Sequence, residues 1–190
     1  MQKPHKIVLG IDPGTVIMGY SVIHITKDII TVKEIDVLKL PAKKDNYERL
    51  QLIYECVTEL VRLHQPDAVA IEAPFFGKDV QAMLKLGRAQ GVAIAAVMSF
   101  KVPVTEYAPR RIKQSITGNG NADKEQVWKM ILNLVDLKEK PKYFDATDAL
   151  AVAICHHFSD KLPFAKSTAP KKPSGSRWDQ FIANNPGRIS

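Results

Sequence analysis

The segment that most constrains the fold is the apolar run of residues 7–11, which is ended by Asp12-Pro13-Gly14. A short, continuous apolar run bounded by turn residues is typical of a strand buried on both faces of a sheet. Proline and glycine at the second and third positions favour a type II turn beginning at Asp12. We therefore expect a buried central strand that ends in a carboxylate.

The rest of the chain alternates between strand-like and helix-like segments. Residues 29–40 are strand-like, but their alternation slips between Val32 and Ile35, which predicts a β-bulge there. Apolar residues at helical spacing predict a helix over 47–64. The remaining segments predict strands at 20–26, 67–71 and 101–107, and helices at 80–100, from 109, at 124–137 and at 145–158. This order predicts an α/β protein with a mixed sheet flanked by helices.

Charge and composition divide the chain near residue 158. The whole chain of 190 residues has a formal net charge of +7, and residues 159–190 contribute more than half of it. That segment is rich in proline, serine and lysine and has little to bury, so we expect a disordered basic tail at 159–190 behind a folded domain at 1–158. The longest apolar stretch, residues 91–100, is shorter than the roughly 20 residues of a membrane span. We expect a soluble, cytoplasmic protein.

Four carboxylates lie at the ends of the most buried segments. Asp12 and Glu72 each end an apolar strand, and Asp145 and Asp148 share one face of the last predicted helix. If these elements converge, the cluster is stable only when divalent cations such as Mg²⁺ neutralise it. Other roles remain open for individual residues. Asp12 also suits a turn, and Asp145 with Asp148 also suits a helix N-terminus without any metal.

Several motifs occur in a recognisable order along residues 6–158. They are Gly10-Ile11-Asp12-Pro13-Gly14, Ile71-Glu72, the stretch 84–91, Lys113-Gln114, the glycine-containing stretch 118–124 and the stretch 145–153. Each motif alone is common, whereas the ordered set is specific. In this set the chain resembles the RuvC-type Holliday-junction resolvases.

The resemblance implies a ribonuclease-H-like fold and a homodimer that cuts two strands of a four-way DNA junction symmetrically during recombination and repair. It implies that the four acids are catalytic and bind metal, with two Mg²⁺ ions, or Mn²⁺, in each active site. The RuvA and RuvB branch-migration proteins are implied partners. Gly87 and Gly91 lie on the helix that we expect to contact either the sheet or the second subunit.

The same resemblance implies three DNA-binding residues. Lys113 and Lys124 match basic residues near the cut phosphate, although exposed lysines on helices are common without such a role. Phe75 matches an aromatic residue that stacks on a base, which suits the π-face that every base offers. A core position for Phe75, or stacking by the neighbouring Phe76 instead, is the alternative.

Three other functional classes remain to be separated by experiment. Other ribonuclease-H-like nucleases share the acid cluster but cut RNA precursors or transposon ends. Actin-like and sugar-kinase-like proteins also begin with a strand, an acid and a glycine turn, but they need two such lobes, which 190 residues cannot supply. A non-catalytic DNA-binding protein is the third, and its site would not need all four acids. Zinc is not expected, because the consecutive Cys155, His156 and His157 cannot surround one ion.

Overall fold

The computed structural model describes residues 6–74, 79–137 and 141–161. Five strands and five helices alternate through this part of the chain. In chain order they are β1 (Lys6–Asp12), β2 (Ile17–Thr26), β3 (Ile29–Lys39), α1 (Asn46–His64), β4 (Ala68–Glu72), α2 (Val80–Met98), β5 (Val104–Tyr107), α3 (Pro109–Thr117), α4 (Lys124–Leu134) and α5 (Phe144–Lys161).

The strands form one mixed sheet in the order β3-β2-β1-β4-β5. The first three strands are antiparallel neighbours, whereas β1–β4 and β4–β5 are parallel pairs. Helices connect the parallel strands, as crossovers of this kind require. The predicted α/β class, with a mixed sheet flanked by helices, is confirmed.

The two faces of the sheet support two separate hydrophobic cores. In β1, Leu9 and Ile11 point into the core that α1 and α2 cover. Val8 points to the opposite face, where α3, α4 and α5 pack. Asp12 follows the same alternation as Val8 and Gly10, so its side chain belongs to the α5 face. This alternation determines which helices lie beside the carboxylate.

The packing of α5 on the sheet depends on two positions without side chains. A Cβ atom at Gly10 would collide with the Ala149 carbonyl oxygen, and one at Gly19 would collide with the carbonyl oxygen of Asp145. The Ser21 hydroxyl, directly across from Gly10, donates a hydrogen bond to the Ala149 carbonyl at 3.0 Å. The start of α5 therefore lies directly on β1 and β2, next to the end of β1.

One local prediction is confirmed. The register between β2 and β3 shifts at Val22/Ile23, opposite the segment from Val32 to Glu34, where a bulge is expected. At the start of α4, Asp123 caps the helix and accepts a hydrogen bond from the Gln126 amide at 2.8 Å.

The type II turn is wrong. Such a turn needs a positive φ at Gly14, and among the described residues Gly118 is the glycine with a positive φ. Glycine is needed at position 14 for another reason, because a Cβ atom there would collide with the carbonyl oxygen of Ile17.

No helix in the described ranges is long and apolar enough to cross a bilayer.

Contacts divide the chain into one compact unit that ends at Ser159 and a second covering residues 160–190. Nearly all of the second unit lies outside the described residues, so the predicted disorder of residues 159–190 stays a prediction.

Candidate active site

Two of the predicted acids lie side by side at one edge of the sheet. Ile11 and Ile71 are paired in the parallel β1–β4 ladder, so Asp12 and Glu72 are the next residues on neighbouring strands. Both strands end there, and Glu72 pairs in turn with Tyr107, the last residue of β5. The ends of three parallel strands therefore form one side of the site.

The other two acids reach the same place from α5. Gly19 pairs with Asp12 across the β1–β2 ladder, and the backbone of Asp145 lies against Gly19. Asp148 is one turn further along and lines a cleft together with Asp12 and Glu72. Asp145 does not line this cleft, yet its charge raises the pKa of Asp12. Sheet register and glycine packing thus bring Asp12, Glu72 and Asp148 to one cleft, with Asp145 near enough for its charge to act on Asp12.

The cluster is electrostatically strained. Burial, together with the charges of Glu72, Asp148 and Asp145, raises the pKa of Asp12 from 3.8 to about 8. Burial, together with the charge of Asp148, raises the pKa of Glu72 to about 7. Carboxylates this close repel one another once ionised, so a cation is needed to stabilise them in their charged forms.

Lys124 at the start of α4 already provides part of that positive charge. Its Nζ donates to Asp148 Oδ2 at 2.6 Å and lies 5.5 Å from the centre of the Phe144 ring. Burial alone would lower the pKa of Lys124, but the hydrogen bond and charge of Asp148, with Asp12 and Asp145, raise it overall. Lys113 of α3 lines the same cleft, and its charge opposes the rise in the pKa of Glu72.

These side chains surround an open cleft of about 650 Å³ between the strand ends, α3, α4 and α5. Three carboxylates, Asp12, Glu72 and Asp148, and two lysines, Lys113 and Lys124, line this cleft together. A phosphodiester in the cleft would meet both acids able to hold cations and ammonium groups. That arrangement suits hydrolysis of a phosphate ester.

The residues fit a divalent cation by donor type and by charge. Carboxylate oxygens are the ligands that Mg²⁺ prefers, and the pKa values of Asp12 and Glu72, raised by burial and by neighbouring acids, indicate that a bound cation would stabilise their ionised forms. Among the described residues, no three His, Cys, Asp or Glu side chains stand close enough together to form a ready-made metal site. Binding an ion therefore requires the carboxylates to turn towards one another.

Sequence analysis missed some of the residues around the cleft and named one that falls outside the described ranges. Arg110, Gly120 and Asn121 line the cleft, and Phe144 contacts Lys124. A signal for Arg110 was available, since it lies three positions before Lys113 on the same helix. Phe75, with its alternative Phe76, lies outside the described residues, so base stacking there stays a prediction.

The profile of the RuvC family, described as crossover junction endodeoxyribonuclease RuvC, matches residues 8–156. The chain belongs to the RuvC family. The predicted enzyme class, an endodeoxyribonuclease and hence a hydrolase, is confirmed. The predicted ribonuclease-H-like fold is confirmed as well, because the fold is shared with solved RuvC structures.

Individual RuvC proteins are similar over most of the chain. The RuvC of Christiangramia forsetii is 49% identical over 187 residues, which cover 98% of this chain and 94% of that protein. The RuvC of Porphyromonas gingivalis is 45% identical over 192 aligned positions, covering 100% of both chains. That alignment reaches the C-terminus, so this relative has a segment corresponding to residues 159–190.

A solved structure provides a comparison in three dimensions. It is Thermus thermophilus RuvC in complex with Holliday junction substrate, which superposes with a TM-score of 0.78 at 34% identity. The match covers 82% of this chain and 95% of the Thermus chain.

Proposed function

We propose that this RuvC protein resolves four-way DNA junctions by metal-dependent, symmetric nicking of two strands during recombination and repair. The observation that carries the proposal is the cleft that Asp12, Glu72 and Asp148 line together with Lys113 and Lys124. Support for the substrate comes from the Thermus relative, which was solved with Holliday junction substrate. Bacterial cytoplasm is the location that we propose, and RuvA and RuvB are the partners that supply the junction.

In this proposal Asp12, Glu72, Asp145 and Asp148 hold two Mg²⁺ ions. When bound, the ions supply an activated water and a charge that stabilises the leaving oxygen. Asp12 and Glu72 fix the position of the site because they end neighbouring strands, and Asp148 must exchange its contact with Lys124 for a shared one. Lys124 and Lys113 then attract the phosphate group, whose charge an acidic pocket would otherwise repel.

The test is cleavage of a synthetic mobile four-way junction, compared with linear duplex of the same sequence and with an RNA–DNA hybrid, in Mg²⁺ or EDTA. We expect paired nicks at symmetric positions on the junction only, and none in EDTA. Cutting of the hybrid instead would keep the active site but assign another substrate. Tight junction binding without any cutting would favour the non-catalytic alternative.

Symmetric nicking needs two copies of the site, and α2 offers a surface for a second subunit. Gly87, Gly91 and Ala95 are exposed, so they do not face the sheet. The same helix exposes three apolar side chains, namely Val80 at 66%, Leu84 at 52% and Met98 at 62%. Positions 80, 84, 87, 91 and 98 share one face of a helix. We propose that this face, the α2 stripe, contacts the second subunit of a homodimer.

Gly91→Gln tests the α2 stripe. A Cβ atom at Gly91 would have no heavy atom within 4 Å, so the larger side chain causes no clash within the subunit. Glutamine is also more favourable than glycine inside a helix, by somewhat less than about 1 kcal/mol, so the isolated subunit keeps its stability. We expect the dimer dissociation constant, measured by sedimentation velocity, to rise about 10-fold or more, equivalent to ~1.4 kcal/mol. Glu55→Gln on the exposed face of α1 is the control. A wild-type protein that stays monomeric at micromolar concentration and on DNA would contradict the homodimer.

A further inference from the structure

The cleft contains a third cationic side chain, Arg110 at the second position of α3. Arg110 is exposed, and it lines the cleft together with Lys113 and Lys124. In the described part of the chain its guanidinium forms neither an ion pair nor a side-chain hydrogen bond. Its five N–H donors, arranged in a planar fork, therefore have no protein partner among the described residues.

The aliphatic part of Arg110 is held in place by the loop between α3 and α4. A Cβ atom at Gly120 would lie 2.6 Å from Arg110 Cγ and 3.1 Å from its Nε. Gly120 does not have a positive φ, so backbone conformation does not require glycine there. Glycine is needed instead because the Arg110 side chain occupies the space where a side chain at position 120 would lie.

Hydrogen bonds within the loop between α3 and α4 hold it in a defined conformation beside Arg110. Thr117 Oγ1 donates to the Lys113 carbonyl at 2.8 Å and accepts from the Asn119 amide at 3.1 Å. The Asn121 amide donates to Asn119 Oδ1 at 3.0 Å. A side chain that is ordered before its ligand arrives loses less entropy when it binds.

We propose that Arg110 binds a backbone phosphate of the DNA strand in the cleft, with Gly120 as the residue that makes room for it. The inference rests on the proposed function, because it needs DNA in this cleft. Guanidinium binds phosphate oxygens with two parallel hydrogen bonds, which fixes both distance and angle. Arg110 therefore holds the strand in register with the acids, and the hydrolytic step does not use it.

The adjacent Arg111 is a matched control for charge. It does not line the cleft. It lies instead near Cys155, where burial raises the pKa of the thiol and the positive charge of Arg111 opposes that rise. Arg110→Gln and Arg111→Gln each remove one positive charge from the same turn of α3, but only the first removes it from the cleft.

The experiment measures junction binding in EDTA at several salt concentrations for wild type, Arg110→Gln, Arg111→Gln and Gly120→Ala. We expect Arg110→Gln to raise the dissociation constant for the junction about 10- to 100-fold, which is the effect expected when one hydrogen-bonded contact to a charged group is lost. It should also reduce the slope of log K against log salt by about 1, as loss of one phosphate contact requires. Arg111→Gln should change both quantities much less.

Gly120→Ala provides an independent probe, because its Cβ displaces the Arg110 side chain without changing charge. It should weaken binding in the wild-type background and have no further effect when Arg110 is already glutamine. Equal behaviour of Arg110→Gln and Arg111→Gln, with normal wild-type binding, would overturn this inference alone. A wild-type protein that does not bind the junction would overturn the proposed function and this inference with it.

Discussion

Asp12→Asn is expected to abolish junction cleavage while leaving junction binding intact or tighter. The substitution keeps the shape of the side chain and removes one negative charge from the position where β1 ends beside Glu72. The proposed cations lose their central ligand, so we expect the cleavage rate to fall at least ~10³-fold, the order of losing a main source of transition-state charge stabilisation. Binding improves because phosphate no longer meets that charge. Single-turnover cleavage and equilibrium binding measure the two effects separately.

The control is Asp36→Asn, which removes a carboxylate from the exposed edge strand β3. It should cut at the wild-type rate. Asp12→Asn that also cuts at the wild-type rate would exclude the proposed role of the acid cluster. Loss of both cutting and binding would indicate a folding defect, which the unfolding temperature of the variant would show. Arg110→Gln has a different expected pattern, since it weakens junction binding, which Asp12→Asn leaves intact or tighter.

The buried strands could be predicted because burial on both faces requires a run of apolar residues, which is visible in the sequence. The runs that became β1 and β4 are apolar at successive positions, which is what burial on both faces of a sheet requires. Asp12 and Glu72 were identified because each ends such a run, where a carboxylate is costly unless it has a function. The slip in the apolar–polar alternation at residues 32–35 likewise predicted a β-bulge, and the shift in the β2–β3 register confirms it.

The remaining features depend on contacts between segments that are distant in sequence. Gly19 carries no signal that α5 will lie on it, and this contact is what brings Asp145 next to Asp12. Gly14 was assigned to a type II turn because local rules consider backbone conformation, whereas its real constraint is the carbonyl of Ile17. The spacing of Arg110 from Lys113 could be read from α3, but the close approach of Arg110 to Gly120, ten residues away, could not.

The metal-free protein is expected to lose folding stability as pH rises from about 5 to 8. Burial, together with the other acids, raises the pKa of Asp12 to about 8, and burial and Asp148 raise that of Glu72 to about 7. Both values exceed those of the unfolded chain, so folding favours the protonated forms. That contribution is complete below about pH 4 and is lost as pH passes through 7 and 8. One unit of pKa corresponds to about 1.4 kcal/mol, so the total loss amounts to a few kcal/mol.

Urea unfolding at pH 5 and pH 8, in EDTA and in Mg²⁺, measures this loss. Mg²⁺ should restore stability mainly at pH 8, because the cation binds carboxylates that are ionised only in that range. Asp12→Asn should remove most of the pH dependence in EDTA, whereas the exposed Glu59→Gln on α1 should leave it unchanged. Equal stability at both pH values in EDTA would mean that the acids do not repel one another as the structure implies. Burial and repulsion oppose ionisation of the metal-free cluster, and a bound cation relieves both, so stability and metal binding should change together in every variant of the cluster.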